Sequence, residues 1–234
     1  FKIPILPLIE FLHVSCLDQS RKSPKSLPWR IPRLVIINIL IIIIITIPVI
    51  FLLDYGINNL LYQRGIYPAE TFTRCDMYKL PLLTTTDEEL KTYLTSVMEQ
   101  LKEWLNQQIV QKVVVTISTE GTNEVLERWQ FDIECDKSMT HDSKPREKSQ
   151  SEIHKGIQAV IKQITASVTF LPLLETACKF NLLIYTDKDL NTPEKWEESG
   201  PSLIEHSEEV RLRSFTTSIH KVDAMVSYKL MDGI

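Results

Sequence analysis

Apolar residues recur at helical spacing in three parts of the chain, and each part predicts an amphipathic helix. The first ends near Gly65, which follows the apolar positions as a helix stop. The second begins at Thr86-Asp87-Glu88-Glu89, whose hydroxyl and later carboxylate have the pattern of a capping box. Its stripe consists of Leu90, Tyr93, Leu94, Val97, Leu101, Trp104 and Leu105. The third stripe consists of Ile153, Ile157, Val160, Ile161, Ile164 and Val168.

Other segments have the composition and alternation of strands. Residues 113–117 are β-branched and predict a buried strand. Residues 128–134 alternate between apolar and polar side chains, which predicts a half-buried strand of a hairpin that turns at residues 120–123. Further strands are predicted at residues 180–186, 210–219 and 222–230, with polar loops at 136–149 and 187–207. Helices and strands do not alternate strictly, so the order predicts an α+β fold rather than a doubly wound one.

The first 54 residues differ from the rest, and two interpretations remain open. Residues 34–53 form an apolar run of 20 residues that is interrupted only by Asn38, Thr46 and Pro48. By length this run is a candidate transmembrane helix, with a basic flank that would stay in the cytosol. The alternative, which we favour, is that residues 1–54 are translated non-coding sequence joined to a real exon. Both interpretations divide the chain into an atypical Ile-rich segment, residues 1–54, and one folded domain, residues 55–234.

Composition and charge exclude several classes of partner. The net charge is −4, so there is no basic excess of the kind that binds nucleic acid, and we expect no nucleic-acid partner. The four cysteines stand far apart and form no C-x-x-C motif, which indicates reduced thiols rather than a zinc or redox site.

A search for catalytic and metal-binding motifs is negative. The chain has no G-x-S-x-G, no H-E-x-x-H and no phosphate loop, and its five histidines lack ligand spacing. Asp187 and Asp189 are close in sequence, but no further oxygen ligands follow at calcium-loop spacing. We therefore expect no enzyme activity, no metal and no cofactor.

Four blocks of sequence carry a resemblance to a known family. They read GINNLLYQRGIYP at residues 56–68, EVLERWQFDIECD at 124–136, KWEESGP at 195–201 and EVRLRSFTT at 209–217. Over residues 55 to about 229 the chain resembles the HORMA-domain family, and within it the mitotic-arrest-deficient-two group of the spindle assembly checkpoint. The resemblance implies the HORMA fold: three helices packed on a mostly antiparallel sheet, with a mobile C-terminal segment called the safety belt.

The resemblance also implies how such a protein binds a partner. The belt exposes a sheet edge, an extended peptide adds a strand there by β-augmentation, and the belt closes over it. Because an uncovered edge is a liability, we expect the C-terminal strands to cover it when no partner is bound. The implied peptide-binding and belt residues are Phe180, Leu182, Ile184, Tyr185, Trp196, Phe215 and Tyr228.

A second implied surface serves dimerisation and regulation. It consists of Lys162, Gln163, Phe170 and Arg213. The family normally has arginine where this chain has Lys162, and lysine lacks the planar fork of a guanidinium, so self-association is expected to be weaker. Residues 231–234 also differ from the family ending, which bears on closure of the belt.

The implied function is that of a checkpoint adaptor in the nucleus, at the kinetochore and in the cytoplasm. Its implied partners are the mitotic-arrest-deficient-one coiled-coil receptor and the cell-division-cycle activator of the anaphase-promoting complex. A comet adaptor and an AAA+ remodelling ATPase would reset it, and open and closed forms would pair as a homodimer. The alternatives are a membrane-anchored interaction protein and a non-functional product of a misjoined gene model. The sequence does not indicate which conformer is adopted.

Overall fold

The computed structural model describes residues 33–77, 80–135, 148–186 and 196–230, with the side chains of the first helix described from Thr46 onward. The chain divides into two compact units, Phe1–Ile37 and Asn38–Ile234. Of the first unit only residues 33–37 are described, and they are helical. Three regions singled out above lie outside the described residues: most of the loop at 136–149, residues 187–195 with Asp187 and Asp189, and residues 231–234.

Three α-helices occur in the described residues: α1 (Arg33–Gln63), α2 (Glu88–Asn106) and α3 (Gln150–Ser167). The predicted stop of the first helix is confirmed, since Gly65 has φ 64° and Ile66 N–H donates to the Leu61 carbonyl (3.1 Å). The cap predicted for the second helix is wrong by one residue. Its N-cap is Asp87, whose carboxylate accepts from Leu90 N–H (2.8 Å) and also suits the positive end of the helix dipole.

Helix α1 crosses residue 55, where we placed the start of the folded domain. Val49, Leu52 and Leu53 are fully buried and belong to the same core as the residues after Tyr55. The hydroxyl of Thr46 contacts Asn106 Oδ1 at the end of α2 (2.7 Å). The end of the Ile-rich run therefore supplies the apolar face of a core helix, while the origin of residues 1–54 stays a prediction.

The described part of α1, whose side chains begin at Thr46, and the other described helices are not long and apolar enough to cross a membrane.

A hairpin that the sequence did not indicate follows α1. After a short 3₁₀ turn (Ala69–Thr71), strands β1 (Phe72–Met77) and β2 (Leu80–Thr85) pair antiparallel as a separate sheet. Asn58 of α1 accepts a hydrogen bond from Thr85 N–H (2.9 Å) and ties the hairpin to the helix. These strands lack apolar alternation and include Pro81, so the pattern gave no strand signal.

The main sheet is antiparallel in every described pairing and has the order β5-β3-β4-β8-β6, with β7 also pairing with β8. Its strands are β3 (Val110–Thr119), β4 (Val125–Cys135), β5 (Cys178–Thr186), β6 (Ser207–Arg211), β7 (Phe215–Thr216) and β8 (His220–Lys229). The single strand predicted at residues 210–219 is wrong, because it is broken into β6 and β7, both of which pair with β8. The predicted α+β class is confirmed.

The core lies between the helices and one face of this sheet. Val115, Trp129 and Val226 are aligned across β3, β4 and β8, and all three are buried. Most of the predicted stripe on α2 is buried with them, but Tyr93 is 44% exposed and is not a core residue. Phe215 packs closely on α3, and a Cβ at Gly156 would lie 3.0 Å from its ring, so a larger residue there would require the ring to shift.

Candidate functional site

Strand β5 forms one border of the main sheet. It pairs with β3 from Cys178 to Thr186, and no strand in the described residues pairs with its other side. In an antiparallel strand, alternate residues direct their N–H and C=O groups away from the neighbouring strand. A nine-residue strand with one unpaired side is therefore a template to which another extended chain can add.

The predicted edge residues divide between the two faces of β5. Phe180, Leu182 and Ile184 lie on the face that packs against the core, and Leu182 is buried there. Tyr185 lies on the opposite face, because successive side chains of a strand alternate. The structure thus brings three of these four side chains together and separates the fourth.

Two tyrosines surround Phe180 at one end of the edge. The rings of Tyr67 and Tyr93 meet the Phe180 ring edge-on, with centroids 6.1 and 5.9 Å away. Burial raises the pKa of Tyr93, against the effect of a hydrogen bond with the backbone of Leu182. Burial, and then the charges of Asp87 and Glu89, raise the pKa of Tyr67. Both phenols therefore stay neutral, and their hydroxyl groups lie near the apolar ring of Phe180.

Residues 196–206, which we name the crossing segment, contact both faces of the sheet. Trp196 packs against Trp104 of α2 on the helix side, with ring centroids 5.1 Å apart. The carbonyl of Pro201 accepts hydrogen bonds from the Tyr185 hydroxyl (3.1 Å) and from Arg128 Nε (3.4 Å), both on the opposite face. The segment therefore passes from the helix side of the sheet to the opposite face between Trp196 and Pro201, close to Tyr185 near the end of β5.

Under the crossing segment lies a chain of polar side chains that the alternation pattern placed in solvent. Arg128 donates to Gln130, whose amide nitrogen donates to both oxygens of Asp132 (2.9 and 2.7 Å). Arg128 and Gln130 are only 5% and 7% exposed. The prediction of a half-buried strand at residues 128–134 is thus wrong for these positions, because tertiary contacts cover the second face of the sheet.

The other two implied belt residues lie at the opposite border of the sheet. Phe215 of β7 is buried against α3, and the Tyr228 hydroxyl of β8 donates to Glu208 of β6 (2.7 Å). The expectation that the C-terminal strands cover β5 is wrong for this arrangement. Strand β8 pairs with β4 instead, which buries Val222 and Val226.

Three of the four residues implied for the dimer face converge. Gln163 of α3 accepts from Arg213 N–H (2.6 Å), and both line a depression of about 520 Å³ together with Lys162 and Lys155. Phe170 lies in the turn after α3, is 47% exposed and is not among the lining residues. The depression is therefore basic, with an apolar ring outside it.

A buried ion pair was missed by the sequence reasoning. Arg64, just after α1, pairs with Glu127 of β4 and donates to the Pro172 carbonyl (2.6 Å), while Trp129 Nε1 donates to Glu127 (3.0 Å). Burial raises the pKa of Glu127, and Arg64 and Trp129 oppose that effect. The sequence held no signal for this pair, since Arg64 and Glu127 lie far apart in the chain.

No group of side chains suited to hold a metal ion occurs among the described residues.

Comparison with known proteins identifies the family. The model of the HORMA domain matches residues 49–220. The chain is 68% identical over 177 residues to mitotic spindle assembly checkpoint protein MAD2A of Homo sapiens, covering 76% of this chain and 86% of that protein. It is 43% identical to mitotic spindle checkpoint component mad2 of Schizosaccharomyces pombe, over 76% of this chain and 88% of that protein.

Solved structures agree with this result. A chain in the crystal structure of a mitotic checkpoint complex matches with a TM-score of 0.72 and 42% identity, over 80% of this chain and 99% of that one. Caenorhabditis elegans HTP-2 bound to the HIM-3 closure motif shares the fold, with a TM-score of 0.65 and 10% identity over 78% of this chain and 89% of that one. The chain therefore belongs to the HORMA-domain family and is similar throughout its folded unit to that family's spindle assembly checkpoint proteins.

Proposed function

We propose that this protein captures an extended segment of a partner protein as an added strand on the outer edge of β5. The observation that carries the proposal is the position of β5, which is paired only with β3 among the described strands and lies where the crossing segment rounds the sheet. Backbone hydrogen bonds would supply the affinity, and alternate side chains of the peptide would supply the selectivity.

The crossing segment should slow the dissociation of a peptide that is bound on β5. A peptide that lies between β5 and residues 196–206 leaves only after the segment moves aside. Dissociation would then be slow compared with that of a peptide bound on an open surface. The contacts of the segment with Trp104 on one side and with Tyr185 on the other are consistent with such an enclosure.

The relatives support a proposal for the partners and the pathway. The 68% identity to MAD2A supports a checkpoint adaptor without chemistry of its own, acting in the nucleus, at the kinetochore and in the cytoplasm. The peptide segments would come from the mitotic-arrest-deficient-one receptor and from the activator of the anaphase-promoting complex, whose capture delays anaphase. A comet adaptor and an AAA+ ATPase would reopen the protein.

The basic depression at Lys162, Gln163 and Arg213 would serve self-association and regulation, with Phe170 at its margin. The buried positions of Val49, Leu52 and Leu53 support an adaptor over a product that fails to fold.

A peptide series tests strand addition. Synthetic segments of the two proposed partners are titrated against the protein, followed by versions N-methylated at alternate residues in two complementary sets. Because only every second N–H of a strand faces its neighbour, one set should abolish binding while the other is tolerated. Equal effects of the two sets, or no binding of either parent peptide at micromolar concentration, would contradict the proposal.

A further inference from the structure

We infer that Tyr185 and Arg128 form a latch on the Pro201 carbonyl that sets how long a captured peptide stays bound; this inference rests on the proposed function. The latch consists of two hydrogen bonds that converge on one oxygen, from the Tyr185 hydroxyl (3.1 Å) and from Arg128 Nε (3.4 Å). Their donors belong to β5 and β4, two strands separated by β3. The latch therefore joins the crossing segment to the face of the sheet that lies opposite the helices.

The two donors also have contacts outside the crossing segment. The guanidinium of Arg128 is buried and donates to Gln130, and Gln130 in turn donates to Asp132. The Lys112 ammonium pairs with Asp132 (3.3 Å) and lies 5.4 Å from the centre of the Tyr185 ring. The hydrogen bonds from Arg128 through Gln130 to Asp132 restrain the Arg128 guanidinium, and the Lys112 ammonium contacts the ring of Tyr185.

The acceptor is also oriented. Proline fixes its own φ, which restricts the backbone that carries the Pro201 carbonyl. The preceding residues 197–200 are exposed, and Leu203 is 71% exposed. The crossing segment thus buries little apolar surface beyond Trp196.

A segment with few buried groups opens easily, and its remaining contacts then determine the rate of opening. Trp196 packs on Trp104, the Pro201 carbonyl accepts the two latch hydrogen bonds, and the His206 carbonyl at the end of the segment accepts from Leu230 N–H (3.0 Å). Tyr185 and Arg128 are therefore positioning residues: they act on the segment that encloses the peptide, and their loss should speed its release.

Tyr185→Phe tests the latch because it removes one hydroxyl and keeps the ring beside Lys112. We expect peptide dissociation to become about fivefold faster, the effect of one neutral hydrogen bond, with the association rate unchanged. Arg128→Lys keeps the positive charge but loses the fork that reaches both Gln130 and Pro201, and we expect about tenfold faster dissociation. The matched control is Tyr62→Phe, which removes a hydroxyl from a tyrosine of α1 whose ring meets Phe72 away from the latch.

Amide exchange of residues 196–206 in the peptide-free protein gives a second readout that needs no partner. Exchange should be faster in Tyr185→Phe than in the parent and unchanged in Tyr62→Phe. Unchanged exchange together with unchanged dissociation would overturn the latch. If the parent protein binds no peptide, the proposed function fails, and the exchange measurement still decides whether Tyr185 and Arg128 hold the segment.

Discussion

The two borders of the main sheet are built in opposite ways. At one border β8 pairs with β4 from Glu127 to Cys135, and both β6 and β7 pair with β8, so the C-terminal strands are integrated into the core. At the other border β5 pairs only with β3 among the described strands, and a segment of mostly exposed side chains rounds it. We therefore expect stability to concentrate at the border formed by β8, β6 and β7, whereas the β5 border is the one proposed to bind a peptide.

The largest expected effect concerns the buried ion pair between Arg64 and Glu127 of β4, a strand that lies between the two borders. Glu127→Gln removes the charge beside buried Arg64 and should lower the free energy of unfolding by about 3 kcal/mol, since an unpaired buried cation remains. Urea unfolding measures this change, and amide protection should fall at both borders. Glu134→Gln on the same strand is the control, because its ion pair with Lys221 is exposed to solvent and should contribute little to stability. Equal losses for the two variants would show that burial of the pair does not matter.

The next effect separates the two borders. Phe215→Ala removes a ring that is 1% exposed and should cost about 3 kcal/mol of stability, as large-to-small changes in cores do. Phe180→Ala at the β5 border removes a partly exposed ring, so we expect it to cost about half as much stability as Phe215→Ala. Of the two variants, Phe180→Ala should lose more peptide affinity. Denaturant unfolding and peptide titration on both variants give the comparison. A reversed order in stability would mean that the β5 border carries the core.

A smaller effect concerns Asp54 of α1, which should make the stability of the fold depend on pH. Burial raises the pKa of Asp54 in α1 from 3.8 to about 6. Because the folded protein holds this proton more tightly than the unfolded chain, stability should fall as pH rises from about 4 through 6. Asp54→Asn removes that loss and should raise the free energy of unfolding at pH 7 by about 1–2 kcal/mol. This figure is smaller than the full pKa difference implies, because the Asp54 side chain is partly exposed to solvent. Unfolding curves at pH 3.5 and pH 7 check it, and the two proteins should converge at the lower pH. A constant difference between them would contradict a titrating Asp54.

The smallest effect lies within the latch network. Lys112→Met keeps the length of the side chain but removes both the ion pair with Asp132 and the cation beside the Tyr185 ring. Both contacts are partly exposed, so we expect peptide dissociation to be only about twofold faster and stability to change by less than about 1 kcal/mol. Stopped-flow dissociation with labelled peptide is the measurement. A change larger than that of Tyr185→Phe would place the main restraint on Lys112 instead of on the Pro201 carbonyl.

Periodic elements were predicted well because their signal is local. Helices α2 and α3 and the strands at residues 113–117 and 180–186 follow directly from the spacing and type of their apolar residues. The β1–β2 hairpin was not predicted, because its strands do not alternate and are held by contacts such as the one between Asn58 and Thr85. Arg128 and Gln130 were placed in solvent for a related reason: alternation shows which residues share a face, and it does not show that another segment covers that face.

The sequence by itself determined the fold class, the main helices and strands, and the resemblance to the HORMA family, because these depend on neighbouring residues and on long matching blocks. Only the tertiary structure decided that β5 is a border, that β8 pairs with β4, and that Arg128 and Tyr185 meet at Pro201. Each of these depends on pairing between residues far apart in the chain. Backbone hydrogen-bonding groups are alike in every strand, so the choice of neighbour follows from how the buried faces pack together.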